Sequence, residues 1–212
     1  MSSASDAPAL LATRSGGKLR ELHPLFAAYG IEVVDLVGAG IPETGAEDAL
    51  EAFPTFGENA LAKARYFHGR TGRATFADDS GLEVAALAGA PGVLSKRWSG
   101  RTDLGGQALD DENNRLLLER LRGSADRRAR YVCAAAYVDD ARELVCRGES
   151  AGRVVEHARG TNGFGYDPYF LSDDLGRTFG EADRVEKERV SHRGRAFRTL
   201  LARISGSPWQ AK

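Results

Sequence analysis

Cysteine is scarce in this 212-residue chain: Cys133 and Cys146 are the only two, and neither has CxxC or Cys/His spacing around it. Two isolated thiols in apolar stretches exclude a disulfide scaffold and a zinc centre, and they read as buried structural cysteines suited to a reducing compartment. Excess charge of one sign is missing too. The 29 Lys and Arg residues face 30 Asp and Glu, a formal net charge of −1, so no global field draws the chain onto a nucleic-acid backbone. No run approaches the roughly 18 consecutive apolar residues of a membrane span. Met1 to Pro8 has neither a basic segment nor a long apolar one, so it does not read as a secretory signal. The expectation is a cytoplasmic protein with no nucleic-acid or membrane partner. One two-lobed domain is expected over residues 9–204, with frayed tails at 1–8 and 205–212.

Hydrophobic residues make up 42% of the chain and charged residues 28%, close to the globular average and enough for a substantial core. Ala9 to Ala12 reads as a short buried strand, followed by a Gly-rich turn. Leu19, Leu22, Phe26 and Tyr29 then form one face of a helix closed by Gly30, and Ile31 to Leu36 reads as a second strand. Strand, turn, helix, strand is a βαβ unit, the usual seed of an α/β fold. Residues 38–56 read as a long loop with one helical turn at Glu47 to Ala52. A helix is expected over Asn59 to Phe67, a turn at Gly69 to Gly72, a short strand at Ala74 to Ala77, and a further strand at Leu82 to Leu87. Asp111 to Leu121 reads as a helix with Leu117, Leu118 and Leu121 inward. Arg130 to Val138 and Glu143 to Glu149 read as paired strands. Loops follow around Gly160 to Pro168 and Asp173 to Arg177. Phe197, Leu200, Leu201 and Ile204 mark the closing helix.

Four segments carry residues that suit chemistry. The turn Thr13-Arg14-Ser15-Gly16-Gly17-Lys18 would present backbone N–H groups at a helix start, with two hydroxyls and an ammonium, a setting that suits phosphate. It is not a Walker A loop, because Ala12 and Leu19 stand where that motif needs Gly and Ser or Thr. In Asp78-Asp79-Ser80-Gly81, two adjacent carboxylates at a strand end are costly unless solvated or paired with cations. Oxygen ligands of this kind favour Mg²⁺ or Mn²⁺. In Gly160 to Pro168, three glycines surround Phe164 and Tyr166, either of which can stack on a base, while Asp167 can accept a ring N–H. Lys187 precedes Ser191-His192-Arg193-Gly194, where Ser191 is a candidate N-cap. The two basic residues then fall in a first helical turn, where they need an acceptor.

Taken together, the chain resembles the inosine/xanthosine triphosphate pyrophosphatases. The shared words, in that family's order, run from Thr13-x-x-x-x-Lys18 through Thr55-Phe56-x-x-Asn59-Ala60-x-x-Lys63-Ala64 and Ala77-Asp78-Asp79-Ser80-Gly81-Leu82. They continue with Gly89-x-Pro91-Gly92, Gly163-Phe164-Gly165-Tyr166-Asp167-Pro168 and Glu186-Lys187-x-x-x-Ser191-His192-Arg193. The resemblance implies a Maf/Ham-type α/β fold with a long mixed sheet, two lobes about a cleft, and a homodimer. It also implies Mg²⁺-dependent hydrolysis of ITP, dITP or XTP to the monophosphate and pyrophosphate. Carried over residue by residue, Thr13 to Lys18 with Lys63 and Ser80 would hold the triphosphate, and Asp79 would be the metal-associated general base. Phe164 to Asp167, Lys187, His192 and Arg193 would form the base end. The family's metal-ligand Glu stands four residues before the Thr-Phe pair. Glu51 meets that spacing, Glu43 is the alternative, and Asp78 is a further candidate ligand. Ser15 replaces the family's Asn and can supply one hydrogen bond but not the amide's reach.

Two competitors share parts of this pattern. One is a pyrophosphatase for modified pyrimidine or methylated nucleotides, for which the Gly-Phe-Gly-Tyr-Asp and Ser-His-Arg words are not expected. The other is a sensing module that binds triphosphate without cleaving it, against which Asp79 argues. Pyrophosphate release from ITP, XTP, dTTP and GTP, with and without Mg²⁺, separates all three.

Overall fold

The βαβ opening is the first element of the computed structural model, which describes residues 7–205. The expected tails at 1–8 and 205–212 lie outside that range apart from Ala7, Pro8 and Ser205. Strand β1 (Ala9–Leu11) leads through helix α1 (Gly16–Ala28) to β2 (Val33–Asp35), and β1 pairs in parallel with β2. Ser15 caps α1 by accepting from the Lys18 N–H. The helix buries Leu22, Leu25 and Phe26, with Tyr29 as its C-terminal cap rather than part of the inward face. A 3₁₀ segment (Gly45–Glu51) occupies the expected loop, and α2 (Phe56–Thr71) follows.

Helix α2 is longer than expected at both ends. The Thr55 side chain caps its start, and its inward face buries Phe56, Asn59, Ala60, Ala64 and Phe67. That packing outweighs the cost of about 1 kcal/mol for Gly69 inside a helix, so the expected turn at Gly69 to Gly72 is the last helical turn and the chain leaves it at Gly72. A second correction concerns β3 (Thr75–Val84), one continuous ten-residue strand. The spacing reads as a short strand ending at the two aspartates, with a separate strand from Leu82 to Leu87. The turn signal loses because both carboxylates find partners inside the protein, so the strand runs straight through them.

Helix α3 (Gly106–Arg120) starts five residues before the expected position and buries Asn113, Asn114 and Leu117. Strands β4 (Arg128–Val138) and β5 (Glu143–Val154) follow. In β4 the run Tyr131 to Val138 is buried without alternation, while β5 alternates inward and outward residues from Cys146 to Val154. Continuous burial marks a strand covered on both faces and alternation marks one covered on a single face. Two later elements were not anticipated: β6 (Phe170–Ser172), preceded by a 3₁₀ turn at Asp167–Tyr169, and α4 (Arg184–Val190). Helix α5 (His192–Ser205) closes the chain, and the Ser191 hydroxyl accepts from the Gly194 N–H at 3.0 Å as the expected cap.

The sheet order is β2-β1-β3-β4-β5-β6, with β1 parallel to β3 and β5 antiparallel to β6, so the sheet is mixed and the fold is α/β. By compactness the described chain divides into two units: 7–79, 134–147 and 196–205 in the first, and 80–133 and 148–195 in the second. In the first, the Phe26 ring packs edge-on against Phe76 at 4.7 Å and Phe197 at 5.6 Å, and Phe76 meets Tyr137 at 4.8 Å. In the second, Leu82, Val84, Leu117, Leu121, Tyr131, Phe170 and Phe179 form one buried cluster. Cys133 and Cys146 are buried, and neither forms a disulfide among the described residues. Among the described residues, no helix is long and apolar enough to cross a membrane.

Candidate active site

In the first unit, β3 delivers two successive carboxylates, and alternation along the strand gives them different neighbours. Asp78 is fully buried, and its carboxylate takes the Lys18 ammonium at 3.0 Å. Its backbone carbonyl also accepts from Lys18 at 3.3 Å and from Lys63 at 3.1 Å. Asp78 therefore gathers both lysines. Lys63 in turn reaches the Glu51 carboxylate at 2.5 Å. Asp79 accepts from the Asn59 amide at 2.8 Å. Burial pushes the Asp79 carboxyl above the usual carboxylate range; Lys18 and Lys63 pull it back down, and Glu51 adds to the rise. Burial works against the Lys63 ammonium, but Glu51, Asp78 and Asp79 outweigh it and hold its pKa above the ordinary lysine value.

These contacts distinguish the two candidate glutamates. Glu51, at the end of the 3₁₀ segment, joins Lys63 and acts electrostatically on Asp79. Glu43 instead acts on Arg14, whose guanidinium is held chiefly by Glu47. Arg14 is not brought to the lysine–aspartate group. It grips Glu47 with two bonds of 2.8 and 2.7 Å and donates to the Ile41 carbonyl at 3.2 Å. That grip ties the Thr13–Lys18 turn to the segment carrying Glu51. Within the turn, Thr13 accepts from the Ser15 N–H at 3.2 Å and Ser15 from the Lys18 N–H at 3.4 Å, while Gly16 and Gly17 open α1 without side chains. The hydroxyl at position 15 thus serves as a helix cap in place of the longer amide.

In the second unit, Lys187 is buried and bonded to Asp167 at 2.5 Å. The same Asp167 oxygen accepts from the Phe164 N–H at 2.8 Å. Gly163 makes this possible: its φ is +79°, and a Cβ there would fall 2.0 Å from the Asp167 carboxylate. The Lys187 ammonium lies 5.1 Å from the Phe164 ring centroid, and the Arg193 guanidinium 5.6 Å from it. Two cations on one ring fit the quadrupole of a π-face. Arg193 also donates to the Ser80 hydroxyl at 2.7 Å, so Ser80 faces the arginine. His192 is buried and stacked on Tyr131 at 4.5 Å with an interplanar angle of 6°.

Tyr166 stands apart from this group. Its ring belongs to the buried cluster, and its hydroxyl donates to the Ser95 carbonyl at 2.7 Å. Of the two aromatics in the glycine-rich loop, only Phe164 lies against the cations. Asn59 is the residue that sequence reasoning passed over: fully buried, it donates to Asp79 and accepts from the Phe53 N–H at 2.9 Å. The signal was present, since an Asn four residues after a helix-capping Thr falls on the inward face of α2.

Strand-borne buried carboxylates beside two lysines, on a mixed α/β sheet, define the class of protein. The chain belongs to the Ham1 family, whose sequence model matches residues 9–203. It is 48% identical over 202 residues to a dITP/XTP pyrophosphatase of Aromatoleum aromaticum, covering 94% of this chain and 97% of the relative. It is likewise 48% identical to a dITP/XTP pyrophosphatase of Mycolicibacterium paratuberculosis, covering 92% and 94%. Among solved structures, the HAM1 protein of Coxiella burnetii superposes with a TM-score of 0.80 at 35% identity, covering 94% of this chain and 99% of that one.

Proposed function

We propose that the chain is a nucleoside-triphosphate pyrophosphatase that removes deaminated purine nucleotides (ITP, dITP and XTP) by hydrolysis to the monophosphate and pyrophosphate. The observation that carries this reading is Asp79, a buried carboxylate with a raised pKa, fixed by Asn59 beside Lys18, Lys63 and Glu51. A water oxygen attacks the α-phosphorus, the bond from that phosphorus to the bridging oxygen breaks, and pyrophosphate leaves with the electron pair. Asp79 takes the water's proton, a role for which a carboxyl held above its ordinary pKa is suited. Lys18 and Lys63 neutralise the triphosphate oxygens, and Thr13 to Gly17 supplies the backbone turn beside them. No covalent nucleophile is required.

A Mg²⁺-type ion fits this donor set, with Mn²⁺ as its substitute. The available ligands are hard carboxylate oxygens, and Asp79 is a buried charge that the nearby lysines only partly compensate. Among the described residues no three His, Cys, Asp or Glu side chains form a ready-made metal centre. That suits an ion keeping water and phosphate oxygens in most of its positions. Glu51 and Asp79 would hold it, and when bound it supplies positive charge to the leaving pyrophosphate. Asp78, occupied with both lysines, would support them.

Base recognition is assigned to Phe164, Gly165, Asp167, Lys187, His192 and Arg193. Hypoxanthine and xanthine offer an acceptor at O6 and a donor at N1, and adenine reverses both. A guanidinium only donates, so Arg193 favours the first pair. The buried cysteines, outside any disulfide, support a reducing cytoplasm, and the near-neutral charge balance supports a small-molecule substrate rather than nucleic acid. We assign a homodimer, which light scattering tests as a mass of about twice 22.8 kDa. The assay that decides the function is pyrophosphate release from ITP, XTP, dTTP, GTP and ATP with and without Mg²⁺. Fast metal-dependent release from ITP and XTP is expected, with only a slow background on dTTP, GTP and ATP. Equal release from dTTP, or none from any substrate, overturns the reading.

A further inference from the structure

Helix α3 lies outside every residue so far given a role, yet it spends two polar side chains on one loop residue. Asp110 accepts from the Gly165 N–H at 2.8 Å, and Asn114 donates to the Gly165 carbonyl at 3.0 Å. The pair stands at i and i+4, on one face of α3. The N–H of Gly165 belongs to the peptide plane shared with Phe164, and its carbonyl belongs to the plane shared with Tyr166. The two bonds therefore hold the planes on both sides of a single Cα. That fixes φ and ψ at a residue which, lacking a side chain, has the widest choice of either. Gly165 sits at φ +62°, and apart from its two chain neighbours no atom lies within 4 Å of where its Cβ would be. The two hydrogen bonds are the contacts that hold it in that conformation.

The arrangement is poor as mere core filling. Asn114 is buried, and among the described residues its Oδ1 has no hydrogen-bond partner. An apolar residue would fill the same space without an unsatisfied amide. Its neighbour Asn113 is fully used, accepting from the Ser99 N–H at 2.8 Å and donating to the Lys96 carbonyl at 3.0 Å. What Asn114 adds is its grip on Gly165. Next to that grip, Phe164 carries its ring against Lys187 and Arg193, and Asp167 holds the Phe164 N–H. Four points thus fix the loop: Asp110 and Asn114 on Gly165, Asp167 on Phe164, and Tyr166 on Ser95.

We infer that Asp110 and Asn114 are positioning residues for purine discrimination, acting as a two-point clamp that sets the Phe164–Gly165–Tyr166 backbone. This rests on the assignment of that loop to base recognition. A loosened clamp misplaces Phe164 and blurs the contrast between oxo- and amino-purines, while leaving the lysine–aspartate group of the first unit untouched.

The test is the ratio of kcat/KM for ITP over ATP in Asp110→Ala, Asn114→Ala, Asp110→Asn and Gly165→Ala, with melting curves alongside. Loss of the Asp110 bond should lower the ratio about ten-fold, the scale of one hydrogen bond to a charged group, and loss of the neutral Asn114 bond roughly three- to ten-fold. Asp110→Asn keeps an acceptor and should recover most of the ratio lost in Asp110→Ala. Should the alanine variants not fold, Gly165→Ala asks the same question by strain on the loop alone. A lowered melting temperature with an unchanged ratio makes the pair structural and overturns the inference. Arg193→Ala separates the two levels of argument. If it lowers the ratio and the clamp variants do not, the clamp fails and the base-end assignment stands. If it too leaves the ratio unchanged, the assignment fails and the clamp with it.

Discussion

The Asn59 amide donates to the Asp79 carboxylate at 2.8 Å across twenty residues of sequence, and its other arm accepts from the Phe53 N–H at 2.9 Å. One buried side chain therefore fixes the orientation of Asp79, the proposed general base, and anchors the segment that follows Glu51. Asn59→Ala is predicted to lower kcat about ten-fold with a smaller change in KM, because substrate still binds while the carboxylate loses the amide donor that orients it. It also leaves the Phe53 N–H without its acceptor, a cost of about 1–3 kcal/mol. Steady-state kinetics and a melting curve measure the two effects separately; unchanged kcat with a lowered melting temperature reduces Asn59 to a structural role.

Asp79→Asn removes the proposed proton acceptor without changing shape. The amide at 79 can still meet Asn59, so the fold is expected to survive. Turnover should fall by roughly 10²–10⁴-fold, the usual consequence of losing a general base. A purified, folded variant that retains more than about a tenth of the wild-type rate removes Asp79 from that role.

Local patterning made much of the fold legible: the βαβ opening, the closing helix and the strands β4 and β5 all follow from apolar spacing. What it obscured depended on distant partners. Asp-Asp-Ser-Gly carries the residues of a turn, yet it runs as mid-strand because Lys18, sixty residues away, neutralises Asp78. Tyr166 has the composition of a base-stacking residue, but its hydroxyl is claimed by Ser95, 71 residues earlier. Arg14 sits in a phosphate-type turn but is claimed by Glu47. Helix α4 is a different kind of omission. Its capping box, Asp183 with Glu186, was readable, and only its brevity hid it. Strand β6, at three residues, has too little sequence to show a period.

Glu51→Gln and Glu43→Gln should part company in their response to metal. Glu51 neighbours Lys63 and acts on Asp79, whereas Glu43 acts on Arg14. The first variant is expected to raise the Mg²⁺ concentration for half-maximal rate at least about ten-fold, the lower end of what weakened ligand shells cost in affinity. The second should shift it little. Direct Mn²⁺ titration without substrate gives an independent readout, and chelation followed by Mg²⁺ addition should abolish and then restore activity in the wild type. The reverse order of effects moves the ligand to Glu43.

The base end and the phosphate end can be told apart by one pair of variants. Arg193 is buried, donates to Ser80 at 2.7 Å and lies 5.6 Å from the Phe164 ring. Its guanidinium can only donate, so on the proposed assignment it would stabilise the O6 acceptor of hypoxanthine and offer nothing to the amino group of adenine. A charged hydrogen bond of this kind is worth about 1.5–3 kcal/mol, or roughly ten- to a hundred-fold. Arg193→Ala is therefore expected to cut kcat/KM for ITP by that factor while the slow background on ATP changes little. Lys18 instead meets Asp78 at 3.0 Å, beside the capped start of α1, and every triphosphate would present it with the same oxygens. Lys18→Ala should lower both substrates together and leave their ratio near that of the wild type. Because truncating a buried arginine also loosens packing, the ratio of the two substrates is the informative quantity rather than either rate alone. Equal losses on ITP and ATP in Arg193→Ala would reassign that residue from base recognition to phosphate binding.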